Sequence, residues 1–159
     1  MSRARMATGT QMETPMNEEF TVLSNKIVKY LNDATIVARL SHWNCRGANF
    51  YEAHLLFERI YNDLGDQMDS LIEQLRACGF NPDFELFKGP AISMEFYDCH
   101  STSELVLDYV MALSGTIAIF YAFCEKNKQD PRLVAIGNQM QAMSSVVLGD
   151  MYLLQSYLA

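Results

Sequence analysis

The residues of this 159-residue chain best suited to holding a metal are His42 and His54, with Glu58, Asp69 and Glu73 downstream of them. His54 and Glu58 are four positions apart, as are Asp69 and Glu73, so on a helix each pair shares a face. At about 100° per residue, with His54 at zero, Glu58 falls near 40°, Asp69 near 60° and Glu73 near 100°. The four make one polar stripe. The apolar residues Phe57, Ile60, Leu64, Met68, Leu71 and Leu75 centre near 280°, about 130° away from it. Imidazole and carboxylate donors without thiolate suit iron, manganese or zinc better than copper(I). A stripe of histidine and acids also serves as an ordinary solvated helix face, and the spacing alone leaves both readings open.

Distance along the helix decides what the stripe needs. His54 and Asp69 are about 22 Å apart on the axis, too far for one ion to touch both in one chain. The midpoint of 54 and 73 is 63.5, and so is the midpoint of 58 and 69. Two copies of the helix crossing antiparallel about an axis near Asp63 and Leu64 therefore set His54 opposite Glu73 of the second copy, and Glu58 opposite its Asp69. Gly65 lies near that axis and lets backbones approach. His42, at the end of the preceding helix, adds a second imidazole from the same subunit. The residues three before His42, His54 and His100 are Arg39, Tyr51 and Tyr97, so a Glu-x-x-His site within one bundle is absent.

Four amphipathic segments position these residues. Phe20, Leu23, Ile27, Tyr30, Leu31, Ala34, Val37 and Ala38 predict a helix from Pro15 to about Asn44, with Gly47 suited to the left-handed turn beyond it. Asn49 with Glu52 reads as a capping box opening a second helix, Phe50 to about Cys78. Residues 80–103 read as a long crossover with room for a short helix. Ser101 with Glu104 reads as the cap of a third helix ending near Lys126, and Asp130-Pro131 opens a fourth to the C-terminus. The fourth carries Leu133, Ile136, Met140, Met143, Val147, Met151 and Leu154 on its inner face. The predicted fold is all-α: a four-helix bundle over residues 17–159, with residues 1–16 a flexible tail.

Composition narrows the class. Half the chain is apolar and 19% charged, as in a folded domain, and the net charge of −7 repels a phosphate backbone. Cys45, Cys78, Cys99 and Cys124 follow no disulfide or metal-finger spacing, and polar residues follow Arg3 and Arg5 where a signal peptide would be apolar. A cytoplasmic location is expected. Leu105 to Cys124 carries one charge, Asp108, and approaches the length of a membrane span. Ser114, Gly115 and Thr116 at its middle, and its amphipathic neighbours, favour a helix buried inside a large assembly and no membrane. His100 reads as a surface residue, Trp43 as core packing, the methionines as core fillers, and Cys45 as oxidisable if exposed.

The run His42-Trp43-Asn44-Cys45-Arg46-Gly47-Ala48-Asn49-Phe50, then His54, Glu58, Leu64-Gly65-Asp66-Gln67-Met68-Asp69 and Glu73, resembles the signature of the Dps family of ferritin-like mini-ferritins. The match covers about residues 40–80. The resemblance implies a hollow homo-oligomer, a dodecamer built on two-fold dimers, that binds Fe(II) between subunits. It implies a ferroxidase that uses hydrogen peroxide or dioxygen and stores ferric mineral. Carried over by position, His42, His54 and Glu58 bind iron from one subunit, Asp69 and Glu73 complete the site from its partner, and Trp43 stands beside it to intercept radicals. Glu58 departs from the family pattern, where Asp is usual. DNA binding is not expected, since the first residues carry only Arg3 and Arg5 against Glu13. The competing readings are a shell of the same fold with a silent metal site, a DNA-compacting protein, and a bundle that holds zinc or manganese.

Overall fold

The computed structural model describes residues 15–93 and 98–159, with side chains from residue 18 onward. Four long helices, α1 (Pro15–Asn44), α2 (Phe50–Ala77), α3 (Cys99–Lys126) and α4 (Pro131–Leu158), form one bundle, and a one-turn 3-10 helix (Phe84–Lys88) lies in the crossover between α2 and α3. The four-helix, all-α architecture is the predicted one. Most of the expected tail falls on residues 1–14, outside the described residues, while Pro15 and Met16 already belong to α1.

Helical periodicity builds the core. Phe20, Leu23, Ile27, Leu31, Ala34, Val37 and Ala38 of α1 are buried against Phe57, Ile60, Leu64, Leu71 and Leu75 of α2. Val106, Val110, Leu113, Ile117 and Phe120 of α3, with Leu133, Ile136, Met140, Met143, Val147 and Leu154 of α4, close the other side. Each large aliphatic side chain removed from water contributes about 1.5–3 kcal/mol, and that sum holds the helices together. Among the described residues, α3 is the one helix long and apolar enough to cross a membrane. It packs on α1 and α4 with its buried face in this core. Its buried hydroxyls bond within the helix: Thr102 to Asp98 O at 2.7 Å, Ser103 to Cys99 O at 2.7 Å, and Thr116 to Ala112 O at 2.9 Å.

The crossover runs along α1. Asn32 Nδ2 donates to Leu86 O at 3.3 Å, and Gly89, at φ 78°, packs so closely that a Cβ there would sit 2.8 Å from Ile36 Cδ1. Two predicted caps differ from the observed ones. Asn49 stands before α2 in a left-handed conformation, φ 59°, and makes no side-chain cap bond. α3 starts three residues earlier than expected, because the Asp98 carboxylate accepts from Ser101 N at 2.9 Å and from Ser101 Oγ at 3.0 Å. The carboxylate is the stronger acceptor, so Ser101 is the residue being capped. Asp130 caps α4 as predicted, accepting from Arg132 N at 3.0 Å.

Candidate metal centre

The turn between α1 and α2 brings the two histidines together. Gly47 and Asn49 both take positive φ, 101° and 59°, which reverses the chain within a few residues. Cys45 N donates to Ser41 O at 2.9 Å on one side, and Ala53 N to Asn49 O at 3.0 Å on the other. The start of α3 pins the same turn. Cys99 N donates to Arg46 O at 3.2 Å, and Cys99 Sγ donates to the same carbonyl at 3.3 Å.

His42 leaves the last turn of α1 and His54 the second turn of α2. Their rings stack with centroids 3.7 Å apart and planes 20° from parallel. Nδ1 of His42 lies 2.9 Å from the carbonyl oxygen of His54, and Nδ1 of His54 lies 3.0 Å from the carbonyl oxygen of His42. A carbonyl can only accept, so each Nδ1 carries the hydrogen. In the neutral ring that tautomer leaves the Nε2 lone pair of both imidazoles unprotonated, the form in which a histidine binds a metal.

Aromatic neighbours hold the stack. The Tyr61 ring meets His42 edge-on at 5.3 Å, the Arg39 guanidinium lies 5.1 Å over Tyr61, and Phe50 packs at 5.1 Å on His54. Spacing alone assigns none of the three to the stack, although Phe50 is four before His54, Tyr61 seven after it, and Arg39 three before His42, all helical-neighbour spacings. Trp43, expected in the core, is 65% exposed beside the stack, because a helix that points His42 inward turns the next residue about 100° outward. Tyr51 and Leu55 are exposed on the same rim.

The carboxylates divide as the distances require. Glu58 is half-buried one turn beyond His54, whereas Asp69 and Glu73 are exposed further along α2. None of the three has a side-chain hydrogen bond or ion pair among the described residues, and no group of three or more His, Cys, Asp or Glu in one chain is set to hold a metal. One subunit thus presents two half-sets of donors on one face of α2. Gly65 between them is open, with nothing within 4 Å of where a Cβ would stand.

The remaining candidates sit elsewhere. His100 is exposed and faces Glu104 at 3.6 Å. Cys45 is buried, and burial, followed by the neighbouring Cys99 thiol, pushes its pKa up to about 12, so it is held as an inert thiol. Burial likewise raises Cys124 to about 11.

The ferritin-like domain family matches residues 24–142. The DNA protection during starvation protein of Listeria innocua is 31% identical over 96 residues, 60% of this chain and 61% of the relative, so the match spans about three fifths of that protein. The protein of the same name from Brevibacillus brevis is 32% identical over 73 residues, 45% of this chain and 48% of the relative. In fold, the chain superposes on Dps from Bacillus brevis with a TM-score of 0.79 at 19% identity, covering 93% of this chain and 100% of that one. A Vibrio cholerae Dps, described as a member of a superfamily of ferritin-like diiron-carboxylate proteins, superposes with a TM-score of 0.78 at 20% identity, over 99% and 100% of the two chains. The chain belongs to the ferritin-like family, and the relatives and folds it matches are those of Dps proteins.

Proposed function

We propose that this protein oxidises ferrous iron at sites shared between two-fold-related subunits and stores the ferric product within a closed, dodecameric shell in the cytoplasm. The observation that carries the reading is the His42–His54 stack, with both Nδ1 atoms engaged by carbonyls, together with three carboxylates on the His54 face of α2 that have no side-chain partner among the described residues. Antiparallel pairing about the point between Asp63 and Leu64 would bring the half-sets together, giving two imidazoles and three carboxylates per site. His42, His54 and Glu58 come from one subunit, Asp69 and Glu73 from the other. The exposed Trp43, Tyr51 and Leu55 rim supplies apolar surface for that contact.

Ferrous iron is the substrate. Imidazole nitrogens and carboxylate oxygens bind it, and the anionic oxygens favour the more highly charged ferric product. With hydrogen peroxide as oxidant, two ferrous ions give up one electron each, the O–O bond breaks, and two protons complete two waters. Dioxygen is the alternative oxidant. Trp43, exposed beside the stack, is placed to give an electron to an oxidant that escapes. An activity that removes ferrous iron and peroxide together fits the name its relatives carry.

The test is the rate of Fe(II) oxidation by hydrogen peroxide at about two Fe(II) per subunit. Protein is compared with a buffer blank and with the His42→Ala/His54→Ala variant, and sedimentation gives the subunit number. Fast oxidation lost in the variant supports the reading. Rates equal to the blank from a folded, assembled shell overturn it and leave a silent site.

A further inference from the structure

Phe84, on the one-turn helix of the crossover, is 86% exposed, and Phe87 beside it is exposed as well. With Pro82 and with Ile72 and Arg76 of α2 they line an open cavity of about 310 Å³, room for an aromatic side chain. The cavity stands over the last turns of α2. With His54 at zero, Ile72 falls near 0° and Arg76 near 40°, inside the stripe that carries Glu58, Asp69 and Glu73. Arg76 is exposed and makes no ion pair among the described residues.

At the other end of the stripe stand Tyr51, near 60°, and Leu55, near 100°, both exposed. The midpoint at 63.5 that sets His54 opposite Glu73 also sets position 51 opposite 76 and position 55 opposite 72. Leu55 and Ile72 lie one residue nearer that axis than His54 and Glu73, so a pairing that closes the metal site closes this contact as well. An exposed aromatic knob and a cavity, at opposite ends of α2, are thus in register. Positions 51 and 76 of one subunit are about 37 Å apart along the helix, so the knob that reaches this cavity belongs to a second copy.

We propose that the cavity is the socket for Tyr51 of a second copy, with Leu55 of that copy packed on Ile72, twice per two-fold pair. The inference rests on the antiparallel pairing proposed for the iron site and adds the residues that fix its register. Phe84 and Phe87 offer ring faces and edges to the tyrosine, and the Arg76 guanidinium offers a cation. A slip of one helical turn, about 5.4 Å, would pull the ring from its socket, so the plug holds the two half-sets of metal donors opposite each other.

The test uses the full-length assembled protein with Tyr51 replaced by photoreactive p-benzoylphenylalanine, at a side chain that a single subunit leaves exposed. Irradiation is expected to give a covalent dimer whose cross-link maps to the tryptic peptide of residues 77–88, which holds Phe84 and Phe87. No covalent dimer, or one linked elsewhere, overturns the proposal. If the larger side chain prevents assembly, Tyr51→Ala and Phe84→Ala decide. Each is expected to lower the melting temperature of the assembly by a few degrees, and the double variant by no more than either, because both remove one contact. Shifts that add overturn the proposal, since the two residues are too far apart in one chain to couple. Peroxide-dependent Fe(II) oxidation is read separately on the wild type. A cross-linked dimer from a protein that oxidises no iron leaves the socket standing without the iron site, and an active protein without the cross-link loses the socket alone.

Discussion

His42 and His54 clamp each other: each ring donates from Nδ1 to the other residue's backbone carbonyl, at 2.9 and 3.0 Å, while the rings stack at 3.7 Å. Neither imidazole is oriented alone. The clamp fixes ring plane and tautomer at once, and it joins the end of α1 to the start of α2.

A reciprocal clamp makes single and double variants alike. His42→Ala removes one metal donor and also the carbonyl-bound ring that stacks on His54; the reverse holds for His54→Ala. Each single variant is expected to lose most of the peroxide-dependent Fe(II) oxidation, and the double variant little more, a non-additive pattern typical of groups acting as a unit. Losses that multiply would show two independent ligands.

Glu58 is one turn beyond His54 and half-buried, with no competing bond among the described residues. Shortening it moves the carboxylate back by about one C–C bond, about 1.5 Å, which side-chain torsions can absorb. Glu58→Asp is expected to keep oxidation and Glu58→Ala to lose most of it. Equal initial rates in all three would remove Glu58 from the site.

Asp150 sets a pH dependence of stability whose sign is fixed. Burial on folding, followed by the charge of Asp63, raises its pKa from 3.8 to about 7, so the folded state holds the extra proton in between. The stability this group contributes is full below about pH 4 and is lost as pH rises through about 7, a change on the order of 4 kcal/mol. In metal-free buffer, the melting temperature of wild type should fall between about pH 5 and pH 8 by several degrees more than that of Asp150→Asn. Parallel curves would show that Asp150 is ionised throughout.

With a net charge of −7, the protein should be repelled by DNA. No gel shift of duplex DNA is expected at physiological salt. A shift that weakens steeply as salt is added would show a basic patch able to overcome the net charge.

Much of the architecture is written in one-dimensional order. Apolar residues at three- and four-residue intervals mark four helices, and the observed bounds of α1, Pro15–Asn44, and of α2, Phe50–Ala77, lie within a residue of the expected ones. The polar stripe His54, Glu58, Asp69 and Glu73 and its coincident midpoints depend only on helical period and numbering, so they are legible without coordinates. What periodicity cannot register is which groups from distant segments meet. Ser101 looked like a cap because Glu104 follows it, yet the stronger Asp98 acceptor takes the role. Trp43 looked like core, yet the placing of His42 turns it outward. Met151 packs against the core as its spacing predicts, but the neighbouring Asp150 is fully buried too, and hydropathy gives no reason to bury an acid. The histidine clamp is the clearest case. Each half is a ring nitrogen meeting a carbonyl twelve residues away, brought there by two left-handed residues in a turn. The faces of the helices are readable from residue order alone, because side-chain direction follows from the 3.6-residue period. The tautomer of the histidines and the burial of Asp150 come from the folded arrangement, because hydrogen bonds and desolvation depend on which groups from separate helices come into contact.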